Sequence, residues 1–154
     1  ISADEMRTKR QQWAREKAGK LPVDASKIGA FGFCFGGSVA LELARSGSEL
    51  KGGVVSFHGG IETYLPTEGN KINASILVLN GAEDSSVTDE NIVAFEKEMD
   101  AAKADWQFVD FGGAVHCFTQ PESNDPPNCV YNEKAAKRAF RMMDDFFEEQ
   151  FAAK

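Results

Sequence analysis

The sequence lacks several features that mark large classes of protein. No apolar run approaches the roughly 20 residues that a helix needs to cross a bilayer, and no signal-peptide pattern opens the chain. The 154 residues carry a net charge of −7, which argues against nucleic acid and anionic membrane surfaces as partners. The three cysteines have no recognisable spacing, and this odd number favours a reducing, cytoplasmic location over a disulfide framework.

The chain also lacks the short motifs of nucleotide and metal sites. It contains neither G-x-G-x-x-G nor G-K-[ST], so a phosphate-binding loop is not predicted. Zinc needs three or four convergent ligands, and the only closely spaced pair is His116-Cys117, whose adjacent side chains need not converge. We therefore predict neither a metal ion nor a cofactor.

What is present is an alternation of strands and helices. Apolar runs predict four strands at residues 27–33, 53–57, 75–80 and 106–111, the second and third buried on both faces. Helical spacing and capping signals predict helices at about 3–18, 35–47, 92–102 and 132–151, and a Pro- and Asn-rich stretch predicts a loop at 121–128. This order indicates one α/β domain, a parallel sheet of about four strands flanked by helices.

The stretch Gly32-Phe33-Cys34-Phe35-Gly36-Gly37 joins the first strand directly to a helix. Its G-x-C-x-G spacing is that of a nucleophile elbow, with cysteine in place of the more usual serine. The nucleophile of such a turn has a strained backbone, and Gly32 and Gly36 are expected to avoid a collision there. The Cys34 sulfur would then lie at a helix N-terminus, which favours a thiolate. On the motif alone, a small buried cysteine stays an open alternative.

A cysteine nucleophile needs a base, and there are only two histidines. His58 follows the second strand and His116 the fourth, and functional groups gather at the carboxyl ends of parallel strands. We predict that His116 is the base, because the preceding Gly112-Gly113 lets the backbone fold back over the strand ends. His58 is interpreted as structural or supporting.

An acid that orients the base is expected after the third strand. Asp84 is predicted there, with Glu83 as its close rival. Asp89 is placed instead in the first turn of the following helix, where a negative charge is favoured. The chain order of nucleophile, acid and histidine is then that of α/β-hydrolases.

With these groups in place, the chain resembles the dienelactone hydrolase family of α/β-hydrolases. The resemblance rests on four motifs, at residues 32–37, 56–60, 80–84 and 112–118. It implies hydrolysis of small carboxylic esters or lactones, without a cofactor, through an acyl-enzyme. In that reaction Cys34 is the nucleophile, His116 the base and then the acid, and Asp84 orients His116. The backbone N–H of Phe35 is expected to hold the oxyanion.

Two departures from the family pattern matter. Family enzymes that open dienelactone have an arginine four residues after the histidine, where this chain has Gln120, so dienelactone is not the expected substrate. The family fold also has further strands before the nucleophile strand, which supply a second oxyanion donor and a glutamate. The chain therefore resembles a partial α/β-hydrolase domain over residues 1–154. Because it begins with Ile1, we expect a processed or partial chain.

Without those further strands, the strand before Cys34 would be an exposed edge, which invites pairing. We expect self-association, or a partner chain, at that edge. Two other interpretations of function stay open. One is a catalytically incomplete fragment or interaction module, and the other is a reactive-thiol protein that uses Cys34.

Overall fold

The central sheet of the protein has four parallel strands. A computed structural model describes residues 27–63 and 71–152, together with Glu5, Lys9, Gln12, Trp13, Glu16, Lys17, Lys20 and Asp24. The strands lie in the order β1 (Ala30–Phe33), β2 (Val54–Phe57), β3 (Ile76–Gly81) and β4 (Trp106–Phe111). The helices bounded within the described residues are α1 (Phe35–Arg45), α2 (Asp89–Ala101) and α3 (Glu133–Ala152). The predicted α/β class is confirmed.

The observed elements follow the predicted ones closely. β4 has its predicted bounds, whereas β1 begins at Ala30, three residues later than expected. The predicted helix over residues 3–18 lies largely outside the described residues. The predicted loop at 121–128 contains part of a short antiparallel pair, β5 (Asn124–Asp125) and β6 (Cys129–Val130). None of the helices in the described ranges is both long and apolar enough to cross a membrane.

The sheet separates two apolar cores, because successive strand residues point to opposite faces. Val54, Ile76 and Val78 pack on the side of α1 and α2. Val55, Phe57 and Leu77 pack on the side of α3. Both middle strands are buried along their whole length, as their continuous apolar runs predict. Because all four strands are parallel, their carboxyl ends lie at the same edge of the sheet.

Helix α1, which follows Cys34, is buried on more sides than its sequence indicates. The alternation of apolar and charged residues predicts a polar face at Glu42 and Arg45, yet these residues are only 1% and 2% exposed. Arg45 donates to Glu42, to both carboxylate oxygens of Glu98 on α2, and to the carbonyl of Ile61. A buried charge is tolerated when it is paired in this way. The contacts between Arg45 and Glu98 hold α1 against α2.

Two of the three cysteines are paired, whereas the sequence favoured a reducing location over a disulfide framework, so that expectation is wrong for this pair. Cys117 and Cys129 form a disulfide with their Cα atoms 5.0 Å apart. They meet because β6 returns beside the segment that follows β4, where the N–H of Val130 donates to the carbonyl of His116 over 3.1 Å. Cys34 is the free cysteine.

Candidate active site

The turn at Cys34 has the strained backbone of a nucleophile elbow. Cys34 has φ 51° and ψ −123° and immediately precedes α1. Its N–H donates to the carbonyl of Phe57 over 3.0 Å, which ties the turn to β2. Gly32 is required, because a Cβ there would lie 2.2 Å from the carbonyl oxygen of Gly36. The steric expectation is wrong for Gly36 itself, where a Cβ would meet no described atom within 4 Å.

His116 approaches Cys34 on a loop that folds back over the end of β3. The turn uses Gly113 at φ 75°, in line with the predicted role of the two glycines. The carbonyl of Ala114 then accepts a hydrogen bond of 2.9 Å from the N–H of Glu83. Gly81 permits this approach, since a Cβ there would lie 2.6 Å from the Ala114 carbonyl oxygen. The loops after β3 and β4 are thereby joined.

Asp84, rather than Glu83, contacts the histidine. Its Oδ2 accepts from His116 Nδ1 over 2.7 Å, while Oδ1 accepts from the N–H and hydroxyl of Ser86 over 2.9 and 2.6 Å. Asp84 is 5% exposed, whereas Glu83 is exposed to solvent. Asp89 lies in the first turn of α2, as expected. Because Nδ1 of His116 is held by Asp84, its Nε2 is left for the Cys34 sulfur.

The side chains of Cys34, His116 and Asp84 shift each other's pKa values. Hydrogen bonds from His116 and then from His58 lower the pKa of the Cys34 thiol from 9.0 to about 6, against the effect of burial. Hydrogen bonds to Asp84 and then to Cys34 raise the pKa of His116 from 6.5 to about 10. Burial raises the pKa of Asp84, but hydrogen bonds from His116 and Ser86 outweigh it and hold that pKa below its ordinary value. At neutral pH this arrangement favours a thiolate beside an imidazolium.

His58 also contacts the sulfur, which the sequence interpretation did not include. Its Nδ1 lies 3.4 Å from Cys34 Sγ, and its Nε2 lies 2.7 Å from Thr119 Oγ1. The residue is fully buried and has φ 37°. The parallel register of β1 and β2 is the signal that could have predicted this contact. Phe33 pairs with Phe57, so the residues that follow them, Cys34 and His58, emerge side by side.

Gln120 is a third neighbour of the sulfur. Its Nε2 donates to Cys34 Sγ over 3.4 Å, and its Oε1 accepts from the hydroxyl of Ser123 over 3.2 Å. The sequence shows that this position lacks the family arginine, but it does not show that the amide turns toward the Cys34 sulfur. Gln120 therefore gives the sulfur a hydrogen-bond donor without a positive charge.

The structure also brings together a set of possible metal ligands that the sequence spacing does not reveal. Cys34, His58 and His116 each offer one ligand atom, and these atoms lie within 4.8 Å of one another. They come from the ends of β1, β2 and β4, so no short motif contains them.

Comparison with known proteins finds a family and several similar chains. The chain matches the profile of the dienelactone hydrolase family over residues 2–151. It is 39% identical over 136 residues to an uncharacterised protein of Caenorhabditis elegans, covering 84% of each chain. Its fold is similar to that of a dienelactone hydrolase-like promiscuous phosphotriesterase from metagenomic libraries, with a TM-score of 0.86 and 40% identity over 92% of this chain.

The chain is shorter than some of these relatives. It spans 60% of the length of the phosphotriesterase. It spans 50% of a relative from Salmonella typhimurium that is 27% identical.

Proposed function

The chain belongs to the dienelactone hydrolase family, and we propose that it hydrolyses small carboxylic esters or lactones through Cys34, His116 and Asp84. The observation that carries this proposal is the order of the three groups: Asp84 accepts a hydrogen bond of 2.7 Å from His116, and a ring nitrogen of His116 lies within 4.8 Å of the Cys34 sulfur. A nucleophile, a base and an acid that orients the base are the parts that such a reaction needs. Family membership supports a hydrolase, and the geometry supports these three residues in it.

The proposed reaction begins when the Cys34 thiolate attacks the substrate carbonyl carbon, and the carbonyl electron pair moves onto oxygen. The N–H of Phe35, at the N-terminus of α1, donates to this oxyanion. When the carbonyl re-forms, the alkoxide leaves and takes a proton from the His116 imidazolium, so a thioester remains on Cys34. Water then attacks the thioester, gives its proton to His116 and releases the acid and the thiolate.

The contacts around the sulfur favour an uncharged substrate. Gln120 has an amide that can donate a hydrogen bond, but it cannot form the charged, two-point contact that arginine makes with a carboxylate. We therefore propose neutral esters or lactones rather than dienelactone. Aryl phosphotriesters are a second class to assay, because a similar protein is described as a promiscuous phosphotriesterase.

The test is hydrolysis of a neutral activated aryl ester by the purified chain beside Cys34→Ala. The proposal expects repeated turnover that Cys34→Ala abolishes. A reactive-thiol protein would instead be alkylated at Cys34 without ester turnover, and the lowered pKa of that thiol is the observation that favours this second candidate. A chain with neither turnover nor a reactive Cys34 would be an incomplete module, which contradicts both.

We further propose self-association through β1. Within the described sheet, β1 pairs only with β2 and is therefore an edge. Phe31 on this strand is 54% exposed. An exposed edge strand with an apolar side chain favours pairing with a second copy. A separate partner chain at the same edge is the alternative.

A further inference from the structure

We propose that Cys34, His58 and His116 bind one Zn²⁺ ion, and that this ion reversibly blocks the active site. Binding follows from the ligand cluster alone, whereas the block rests on the proposed function. The donor set is one sulfur and two imidazole nitrogens, all within 4.8 Å of one another. Thiolate and imidazole are the donors that zinc prefers, while Mg²⁺ and Ca²⁺ prefer oxygen.

The distance between two of the three ligand atoms already fits a zinc site. Zn–S and Zn–N bonds of about 2.3 and 2.0–2.1 Å in a tetrahedron place sulfur and nitrogen about 3.6 Å apart. Cys34 Sγ and His58 Nδ1 are 3.4 Å apart. His58 is fully buried, whereas the side chain of His116 is 30% exposed and is the less enclosed of the two rings. Binding therefore needs a shift of roughly an ångström, mainly at His116.

Both imidazoles are held from the side opposite the sulfur. Asp84 contacts Nδ1 of His116, and Thr119 contacts Nε2 of His58, each over 2.7 Å. In metal sites, a histidine ligand almost always gives its other ring N–H to an oxygen in this manner, which directs the bare nitrogen toward the metal. Here the arrangement directs one nitrogen of each ring toward Cys34. Zn²⁺ would displace the proton that Cys34 and His116 share.

The same atoms would serve the ion and the reaction. A zinc-bound Cys34 thiolate is a weaker nucleophile because it shares electron density with the ion, and a zinc-bound His116 cannot transfer a proton. Three protein ligands leave a fourth zinc position for water. The expected result is inhibition by Zn²⁺ that a chelator reverses.

Calorimetric titration with Zn²⁺ tests the site without any need for turnover. We expect one ion per chain, with affinity at least about 10-fold weaker in Cys34→Ser and His58→Gln, since each change removes a ligand. Glu148→Gln is the matched control for zinc bound by surface carboxylates, because Glu148 is exposed on α3. Equal affinity of wild type and Cys34→Ser would overturn the proposal.

Co²⁺ substitution provides a second measurement that reports the sulfur directly. The wild type and Glu148→Gln should show thiolate-to-cobalt charge-transfer absorption in the near ultraviolet, and Cys34→Ala should not. Cys34→Ala leaves His58 and the core unchanged, so this measurement does not depend on whether His58→Gln folds. A spectrum of Co²⁺ without this absorption in the wild type would contradict sulfur ligation.

Assays of aryl ester hydrolysis with added Zn²⁺, with Mg²⁺ as the control cation, separate this inference from the proposed function. If zinc binds at Cys34 but the zinc-free chain has no turnover, the proposed function is wrong and the zinc site stands. If saturating Zn²⁺ does not lower turnover, the proposed inhibition by zinc is wrong and the proposed function stands.

Discussion

Three side chains surround the Cys34 sulfur, and each acts on it differently: His58 and Gln120 lie 3.4 Å from it, and a ring nitrogen of His116 lies within 4.8 Å. His116, held by Asp84, can carry the proton of the thiol. His58 is buried and fixes the position of the sulfur from the side of β2. The amide of Gln120 adds a neutral donor. At neutral pH the thiolate in this setting is stabilised by the imidazolium of His116 and by its hydrogen-bonding neighbours.

The lowered pKa of Cys34 predicts its alkylation profile. The thiolate is the nucleophile, so the rate of reaction with iodoacetamide should rise with pH through a midpoint near 6 and then level off. Turnover should rise over the same range and fall near pH 10, where His116 loses the proton that the leaving group needs. His116→Gln should move the alkylation midpoint upward. A wild-type midpoint near 9 would contradict the proposed activation of the thiol.

The two histidines are expected to differ in their effect on turnover. His116→Gln removes the proton carrier and should lower kcat by about 10²–10⁴-fold. His58→Gln keeps a side chain that can contact the sulfur and should cost less. Steady-state kinetics on an aryl ester measure both, with circular dichroism to check that each variant folds. Equal losses would show that the assignment of His116 as the base is wrong.

Gln120 is predicted to set substrate charge preference. Gln120→Arg should raise kcat/KM for a lactone that carries a carboxylate relative to its neutral methyl ester, because arginine pairs with carboxylates. Gln120→Met is the control of similar length, and it should not produce this preference. The ratio of kcat/KM values for the two substrates is the readout. An unchanged ratio in Gln120→Arg would mean that residue 120 does not face the substrate.

At the scale of secondary-structure elements, the edge strand β1 has the clearest consequence. Phe31 is 54% exposed on this strand, and its ring lies edge-on to the rings of Phe33 and Phe147. We expect the chain to sediment as a dimer or larger species, and Phe31→Lys to shift it toward monomer, since an edge charge opposes strand pairing. Val93→Lys is the matched control, because Val93 is 47% exposed on α2. A stable monomer at high concentration would contradict self-association.

The sequence predicts the elements of this fold better than it predicts their contacts. Strand and helix signals are local, so β4 and the bounds of α3 were predicted within a residue or two. The contact of His58 with Cys34 depends on the parallel register of β1 and β2, which no local pattern contains. The disulfide joins residues 12 apart that meet only through β6. The buried Arg45 depends on Glu98, which lies 53 residues along the chain.

For the molecule as a whole, the rate of the reaction depends on how many donors hold the oxyanion. The proposed donor within the described residues is the N–H of Phe35. An oxyanion site with one donor fewer is slower by about 10²–10³ in kcat, or about 2.7–4 kcal/mol. The chain spans 60% of a similar phosphotriesterase, so its rate on esters need not match that of longer relatives. The covalent step at Cys34 is therefore a more direct test than the size of kcat.

The acyl-enzyme itself tests the central claim most directly. The chain would be mixed with an activated aryl ester, quenched in acid within the first turnover and measured by intact mass and peptide mapping. The account predicts one acyl group per chain, on Cys34, that is absent in Cys34→Ala and decays as acid is released. Ester turnover with no adduct on Cys34, or an adduct confined to another residue, would contradict it.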